Sequence, residues 1–409
     1  MTAAAIGTHQ TCPQCQGHLA GTDPAPPWCP ACEWNLGAFD RHRVPRMWGL
    51  RAADRADHWL AFRLNRRQHA SLAGRPVGHH GNPLARVAML LLAAPLVLLV
   101  PLVLVAGVLL TLAGSIGAVL GPVLILCVLI MVWPHRRERH RNPWTVDRTA
   151  APALFALLDR VATAAGTPMP HEVHLDHDVN AYSVVTLRRR RILGIGLPLW
   201  ASLEPQERVA LLAHEFGHFV NHDSRRGVVV LGGLRVLRAM LNMLTATVRQ
   251  GSLWMVPVAV VVTPVLWLLS AALLVLSGRD GQRAEYLADR IAVRVAGSAA
   301  TADLFDGLLV AGDLPAAMTA GHRNLADPRG WRTAGTALRA SAPLESLRLL
   351  SLRHDAALLR SHPPTGLRHR MVRSRPEEQP QVAPTEQEWA AIDGELAPWF
   401  TRLARRLND

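Results

Sequence analysis

Between Val87 and Trp133 the chain carries no charged residue: VAMLLLAAPLVLLVPLVLVAGVLLTLAGSIGAVLGPVLILCVLIMVW. This run is about twice the ~20 apolar residues that one helix needs to cross a bilayer. Gly114 and Ser115 in its middle offer a break, so the run is expected to fold as a transmembrane hairpin. A second uncharged stretch, Leu253 to Ser277, is also long enough to cross. The segment before it, Gly227 to Val248, is ambiguous because Arg235 and Arg238 interrupt it. Arginines are expensive at the bilayer centre, so this segment reads either as a span with its arginines turned inward or snorkelling, or as an amphipathic surface helix. Half of the residues are hydrophobic and 18% are charged, an apolar balance for a soluble protein.

All 44 basic residues are arginine, and the net charge is +13. Ten of them lie between Arg41 and Arg86, and HRRERHR follows the hairpin at 135–141. Both flanks of the hairpin are therefore basic, which places them in the cytoplasm by the positive-inside rule. Arginines beside anionic lipid account for this basicity, and a nucleic-acid partner is not needed to explain it. The first 80 residues hold no apolar core of the signal-peptide kind, so the amino terminus is expected to stay in the cytoplasm.

Four of the five cysteines form CPQC (Cys12, Cys15) and CPAC (Cys29, Cys32), separated by 13 residues. Two such knuckles can close four thiolates around one Zn²⁺, and the ion then substitutes for a core that ~40 residues cannot build. Such a closed zinc ribbon is structural and leaves no position open to water. Two disulfides or free thiols are the alternative, and the cytoplasm disfavours disulfides. Cys127, inside the hairpin, reads as a small apolar residue. Residues 41–86 read as a basic linker or membrane-surface helix, with a partner-binding arm as the alternative.

Past the hairpin, APALFALLDRVATAAG (151–166) has the spacing of an amphipathic helix ended by Gly166. Three β-like runs follow: EVHLD (172–176), NAYSVVTL (180–187) and, after a basic turn, ILGIGLPLW (192–200). A helix then begins near Pro205, with an apolar stripe of Val209, Leu212, Ala213, Phe216 and Val220. It runs through HEFGH, where His214 and His218 stand one turn apart on one face. Two imidazoles so placed can share a zinc ion, and Glu215 is positioned to take a proton from water that the ion activates.

A third ligand is required. His222 continues the series but lies roughly 12 Å along a straight helix from His214, too far to share one ion, and reads as a surface residue. A ligand six residues beyond His218 fails as well, since Asn221 and Ser224 occupy the places of the glycine and histidine such a turn needs. GQRAEYLADRIAVRVAG (281–297) is a better source: its helical stripe leaves Glu285 and Asp289 together on another face. Glu285 can complete a His₂Glu site, and Asp289 can hold a ligating imidazole by its second nitrogen.

HEFGHFVNHD, RAEYLADR, NAYSVVTL and the downstream SHPPTGLRHR (361–370) together resemble the M48 membrane metallopeptidases, which include HtpX-like and zinc-dependent CAAX prenyl proteases. The resemblance covers roughly residues 135–375. It implies a gluzincin-like α+β domain with His214, His218 and Glu285 on zinc and Glu215 as general base. It further implies an edge strand near Asn180, Ala181 and Tyr182 that pairs with an extended polypeptide substrate, and cleavage of membrane or misfolded proteins. It also suggests that His362 or Arg368 closes the cleft or stabilises the oxyanion. The ribbon and its arginine-rich extension lie outside the resemblance.

If His218 and Glu285 meet at one metal, the chain between them crosses the membrane an even number of times. Either Gly227–Val248 and Leu253–Ser277 both span, making four spans, or neither does fully; four spans are the favoured expectation, with the catalytic face in the cytoplasm. The resulting architecture is a mainly α membrane protein: ribbon (1–40), basic linker (41–86), transmembrane hairpin (87–133), peptidase domain in two parts (135–226 and 278–373) around a transmembrane pair (227–277), then a Pro/Glu-rich linker and terminal helix (374–409). Two zinc ions are expected, one catalytic and one structural. The expected partners are polypeptide substrates, the lipid bilayer and a protein recruited by the ribbon. The alternative reading is a catalytically inactive membrane sensor in which the ribbon does the binding.

Overall fold

The computed structural model describes residues 11–21, 25–44, 51–75, 83–132, 144–186, 189–220, 224–321, 323–358, 360 and 362–408. The basic segment 135–141 and His222 lie outside the described residues. In chain order, α1 (Arg51–Leu72) precedes α2 (Pro83–Leu112) and α3 (Gly117–Val132). Strand β1 (Trp144–Val146) and α4 (Pro152–Ala165) lead to β2 (Glu172–Asp176), β3 (Ala181–Val185) and β4 (Arg191–Gly196). Helices α5 (Leu197–Ser202), α6 (Pro205–Val220), α7 (Ser224–Arg249) and α8 (Val256–Ala296) follow. The chain continues through α9 (Ser298–Val310), α10 (Leu314–Ala320), α11 (Pro328–Ser341), α12 (Leu344–His354), α13 (Thr365–Arg373) and α14 (Glu386–Asn408). It forms two compact units, one from residues 80–142 and 223–280, the other from 1–79, 143–222 and 281–409.

The smaller unit holds α2, α3, α7 and the first part of α8. The hairpin turns where expected: Gly114 and Ser115 both take positive φ, 73° and 50°, which interrupts the helical backbone. Ala93, Leu237 and Leu273 are fully buried between the helices, while Leu91, Leu102, Leu109 and Val261 point outward. Two helices among the described residues, Val87–Leu112 and Leu253–Ala296, are long and apolar enough to cross a membrane, and Gly117–Ile130 is apolar but shorter. Arg235 and Arg238 of α7 are exposed, so the inward-facing alternative for them is corrected: that face of α7 meets the surroundings rather than the interior.

The larger unit is built on a four-stranded sheet of order β1-β2-β4-β3. Strands β2 and β4 are parallel, and β1 and β3 pair antiparallel on either side. Among the described residues, strand β3 thus has one neighbour and one open edge. Tyr182 sits opposite Gly194, where a Cβ would lie 2.2 Å from the tyrosine ring, so glycine makes room for it. The strand expected to run to Trp200 stops at Gly196. Residues Leu197–Ser202 are a buried helix instead, and Pro198 explains the switch, because its fixed φ suits a first helical turn and it cannot donate to a ladder. Helix α4 ends at Gly166 in the left-handed conformation, as its sequence suggests.

The core joins the sheet to Leu154 and Leu158 of α4, Trp200 of α5 and Phe216 of α6. Helix α14 also belongs to it: Ile392, Leu396, Phe400 and Leu403 are buried there. Glu395 accepts hydrogen bonds from the backbone N–H groups of Ala153 and Leu154, at 2.7 and 3.0 Å, and so caps the start of α4. The cysteine module packs on α12 and α13 through a cluster of Trp28, Leu36, Leu352 and Leu367. Arg353, 1% exposed, donates to the carbonyl oxygens of Leu36, Pro26 and Asn35, each at 2.9 Å.

Candidate active site

The apolar stripe of α6 faces the core and leaves His214 and His218 on an adjoining face, with their Nε2 atoms 3.2 Å apart. Gly217 between them lets α6 lie directly against the last part of α8: a Cβ there would sit 2.7 Å from Ala288 Cα. That close approach delivers Glu285, whose Oε2 is 3.5 Å from His214 Nε2 and whose Oε1 is 3.6 Å from His218 Nε2. His362, from the segment before α13, places Nδ1 2.5 Å from Glu285 Oε2. One ligand atom from each of these four residues lies within 4.8 Å of the others.

The donor set fits zinc. Ligands at about 2.0–2.1 Å in a tetrahedron stand about 3.3 Å apart, close to the spacings of His214, His218 and Glu285. The cysteine module fits equally well, with Cys12 Sγ 3.6 Å from Cys32 Sγ and Cys15 Sγ 3.5 Å from Cys29 Sγ. These spacings suit four sulfurs at about 2.3 Å from one ion and are far too long for disulfides.

One helical turn beyond Glu285, Asp289 Oδ1 lies 3.0 Å from His214 Nδ1. Arg368 of α13 takes both oxygens of that carboxylate, and its Nη2 is 3.1 Å from His214 Nδ1. Its guanidinium also lies over the Phe305 ring, 4.6 Å from the centroid. Burial alone would raise the carboxyl groups of Glu285 and Asp289. The imidazoles of His362, His218 and His214 outweigh it for Glu285, and Arg368 with His214 does so for Asp289, so both are held below their ordinary values. Burial holds His218 down, whereas at His362 the neighbouring Glu285 overcomes burial and raises it.

Glu215 is 5% exposed and lines a cavity of about 1160 Å³ together with His214, Asn180, Ala181, His362 and Arg368. The start of the edge strand, α6 and the stretch 362–368 thus line one cleft, and Glu285 of α8 adjoins it through His214, His218 and His362. Tyr182 packs its ring on Gly194 instead, and burial raises its phenol to about 12. The hydrogen bond from His362 to Glu285 and the grip of Arg368 on Asp289 were not legible in the sequence. The one available signal is that both partners come from the same nine-residue stretch, 362–370.

The family model for peptidase family M48 matches residues 149–376, more than half of the chain. The chain belongs to peptidase family M48. Among relatives, a protease HtpX homolog of Listeria innocua is 26% identical over 148 residues, 35% of this chain and 46% of that protein. A homolog from Listeria monocytogenes serotype 4b matches to the same extent. The protease HtpX of Haemophilus ducreyi is 27% identical over 100 residues, 24% of this chain and 35% of that protein. The chain therefore spans less than half the length of these relatives. No solved structure matches. The M48 family is zinc-dependent, in keeping with a His/Glu cluster and a Cys₄ cluster that could each hold an ion.

Proposed function

We propose that this M48 peptidase is an integral-membrane zinc endopeptidase that hydrolyses peptide bonds of membrane or misfolded proteins. The convergence of His214, His218 and Glu285 beside the buried Glu215 carries the reading. Zinc on those three side chains would polarise the scissile carbonyl and make water nucleophilic near neutral pH. Glu215 takes the proton from the attacking water and delivers it to the leaving amine. Asp289 accepts the Nδ1–H of His214, which leaves the Nε2 lone pair directed at the metal site. Arg368 neutralises Asp289; with its fork committed there we assign it to positioning rather than to the oxyanion. His362 donates from Nδ1 to Glu285, and its half-exposed ring closes one side of the cleft.

The open edge of β3 supports a binding mode in which the substrate backbone adds a strand, entering beside Asn180 and Ala181. Such pairing holds a peptide extended with little demand on its sequence, as broad cleavage requires. For the membrane we infer four spans: the chain leaves the larger unit beyond α6 and re-enters it within α8, which suits an even number of crossings. The basic flanks support a cytoplasmic catalytic side. The Cys₄ ion is structural.

The experiment is cleavage of an unfolded model polypeptide by the full chain in detergent, before and after chelation. Activity lost to the chelator and restored by zinc is expected. Cleavage that persists in metal-free protein overturns the zinc mechanism.

A further inference from the structure

The cysteine module lies outside the region that matches the family, yet it is locked onto the larger unit. Besides the three bonds of Arg353, Glu33 pairs with Arg370 of α13 at 2.9 Å and with Arg66 of α1 at 2.6 Å. Its position relative to α13 is therefore fixed, unlike that of a tethered recruitment domain. The stretch between its two knuckles is tied across by Ala20 and Trp28, which exchange backbone hydrogen bonds at 2.7 and 2.8 Å.

That same stretch borders the catalytic cleft. Leu19, Ala20, Gly21 and Trp28 line the cavity that contains His214 and Glu215. Leu304 and Leu308 of α9, Leu338 of α11 and Leu347 of α12 also line it, so much of the wall away from the histidines is aliphatic. Cys15 stands four positions before Leu19 and Cys29 directly follows Trp28, so an ion on the four cysteines would hold the chain on both sides of the lining residues.

We propose that the ribbon is a wall of the substrate cleft and selects for a bulky apolar side chain near the scissile bond, with Leu19 as a specificity-determining residue. The proposal rests on the peptidase reading above. The occupant is a segment of unfolded polypeptide, because the cavity is continuous with the proposed catalytic residues and the start of the open β3 edge. Burying one Leu- or Phe-sized side chain stabilises binding by about 1.5–3 kcal/mol, which corresponds to roughly 10- to 150-fold.

The test uses the full chain in detergent and a set of quenched peptides that differ only by Leu, Phe, Ala or Ser at each position flanking the cleaved bond. Leu19 is partly exposed, so its replacement leaves the knuckles intact. Leu19→Asp is expected to lower kcat/KM for the best apolar peptide about tenfold relative to its Ala counterpart, chiefly through KM, with bound zinc unchanged. Leu19→Trp is expected to shift the preference towards smaller side chains. Unchanged preference in both variants overturns the proposal while leaving the peptidase reading intact. Failure of the wild type to cut any peptide removes the peptidase reading itself. Should a variant lose its ribbon zinc, a photo-reactive apolar peptide on the Glu215→Ala protein decides: labelling within residues 19–28 supports the wall, and labelling confined elsewhere overturns it.

Discussion

Arg368 grips both carboxylate oxygens of Asp289, with Nε 2.9 Å from Oδ2 and Nη2 2.6 Å from Oδ1. The pair stands directly behind His214 and is almost wholly buried, at 5% and 2% exposure. Removing one partner strands a buried charge, so Arg368→Ala is expected to destabilise the protein by about 3–5 kcal/mol. Arg368→Lys is expected to recover little, because an ammonium cannot reproduce the two-pronged contact. Thermal melting in detergent checks this, and a melting temperature unchanged in Arg368→Ala would show that the pair holds nothing in place.

In the proposed mechanism Glu285 supplies the third ligand that the histidine motif lacks. Glu285→Gln is expected to lower bound zinc from about two ions per chain to about one, because the four cysteines keep theirs. Cleavage is expected to fall at least a hundredfold. Elemental analysis of the purified protein gives the count, and two retained ions would assign the third ligand elsewhere, with His362 the first alternative.

His354, which is not among the proposed metal ligands, supplies a pH dependence of stability. Burial holds it down to about 4, with Arg353, Arg43 and His58 also opposing its protonation and Asp40, 3.9 Å away, favouring it. The unfolded chain binds this proton near pH 6.5. Between those values the unfolded state is the more protonated, so stability is full above about pH 6.5 and falls as the pH drops towards 4. Melting temperatures measured between pH 7.5 and 5 should decline less in His354→Gln than in the wild type. Equal declines would show that His354 does not contribute.

Periodic features of the chain were legible because a single physical rule governs each. The uncharged run exceeded any soluble helix, the HEFGH spacing placed two imidazoles on one face, and the CxxC knuckles matched a tetrahedron. The approach of Glu285 to the two histidines was legible because few acidic residues beyond the motif stand on a helical face. Long-range packing was not legible. Nothing local in WCPACEWNL announces that Leu36 and Asn35 will receive a buried arginine from position 353, and the terminal helix gave no sign that Glu395 caps α4. The turn of LPLW into a helix depended on Pro198 outweighing an aliphatic pattern that reads as strand.

The most direct measurement is the rate at which purified wild type and Glu215→Ala cut an unfolded model polypeptide, with zinc counted in both. Cleavage by the wild type alone, with about two ions bound to each protein, is the expected result, since the role proposed for Glu215 is to move a proton and not to hold metal. Equal cleavage by Glu215→Ala would contradict the assignment of HEFGH as the catalytic centre.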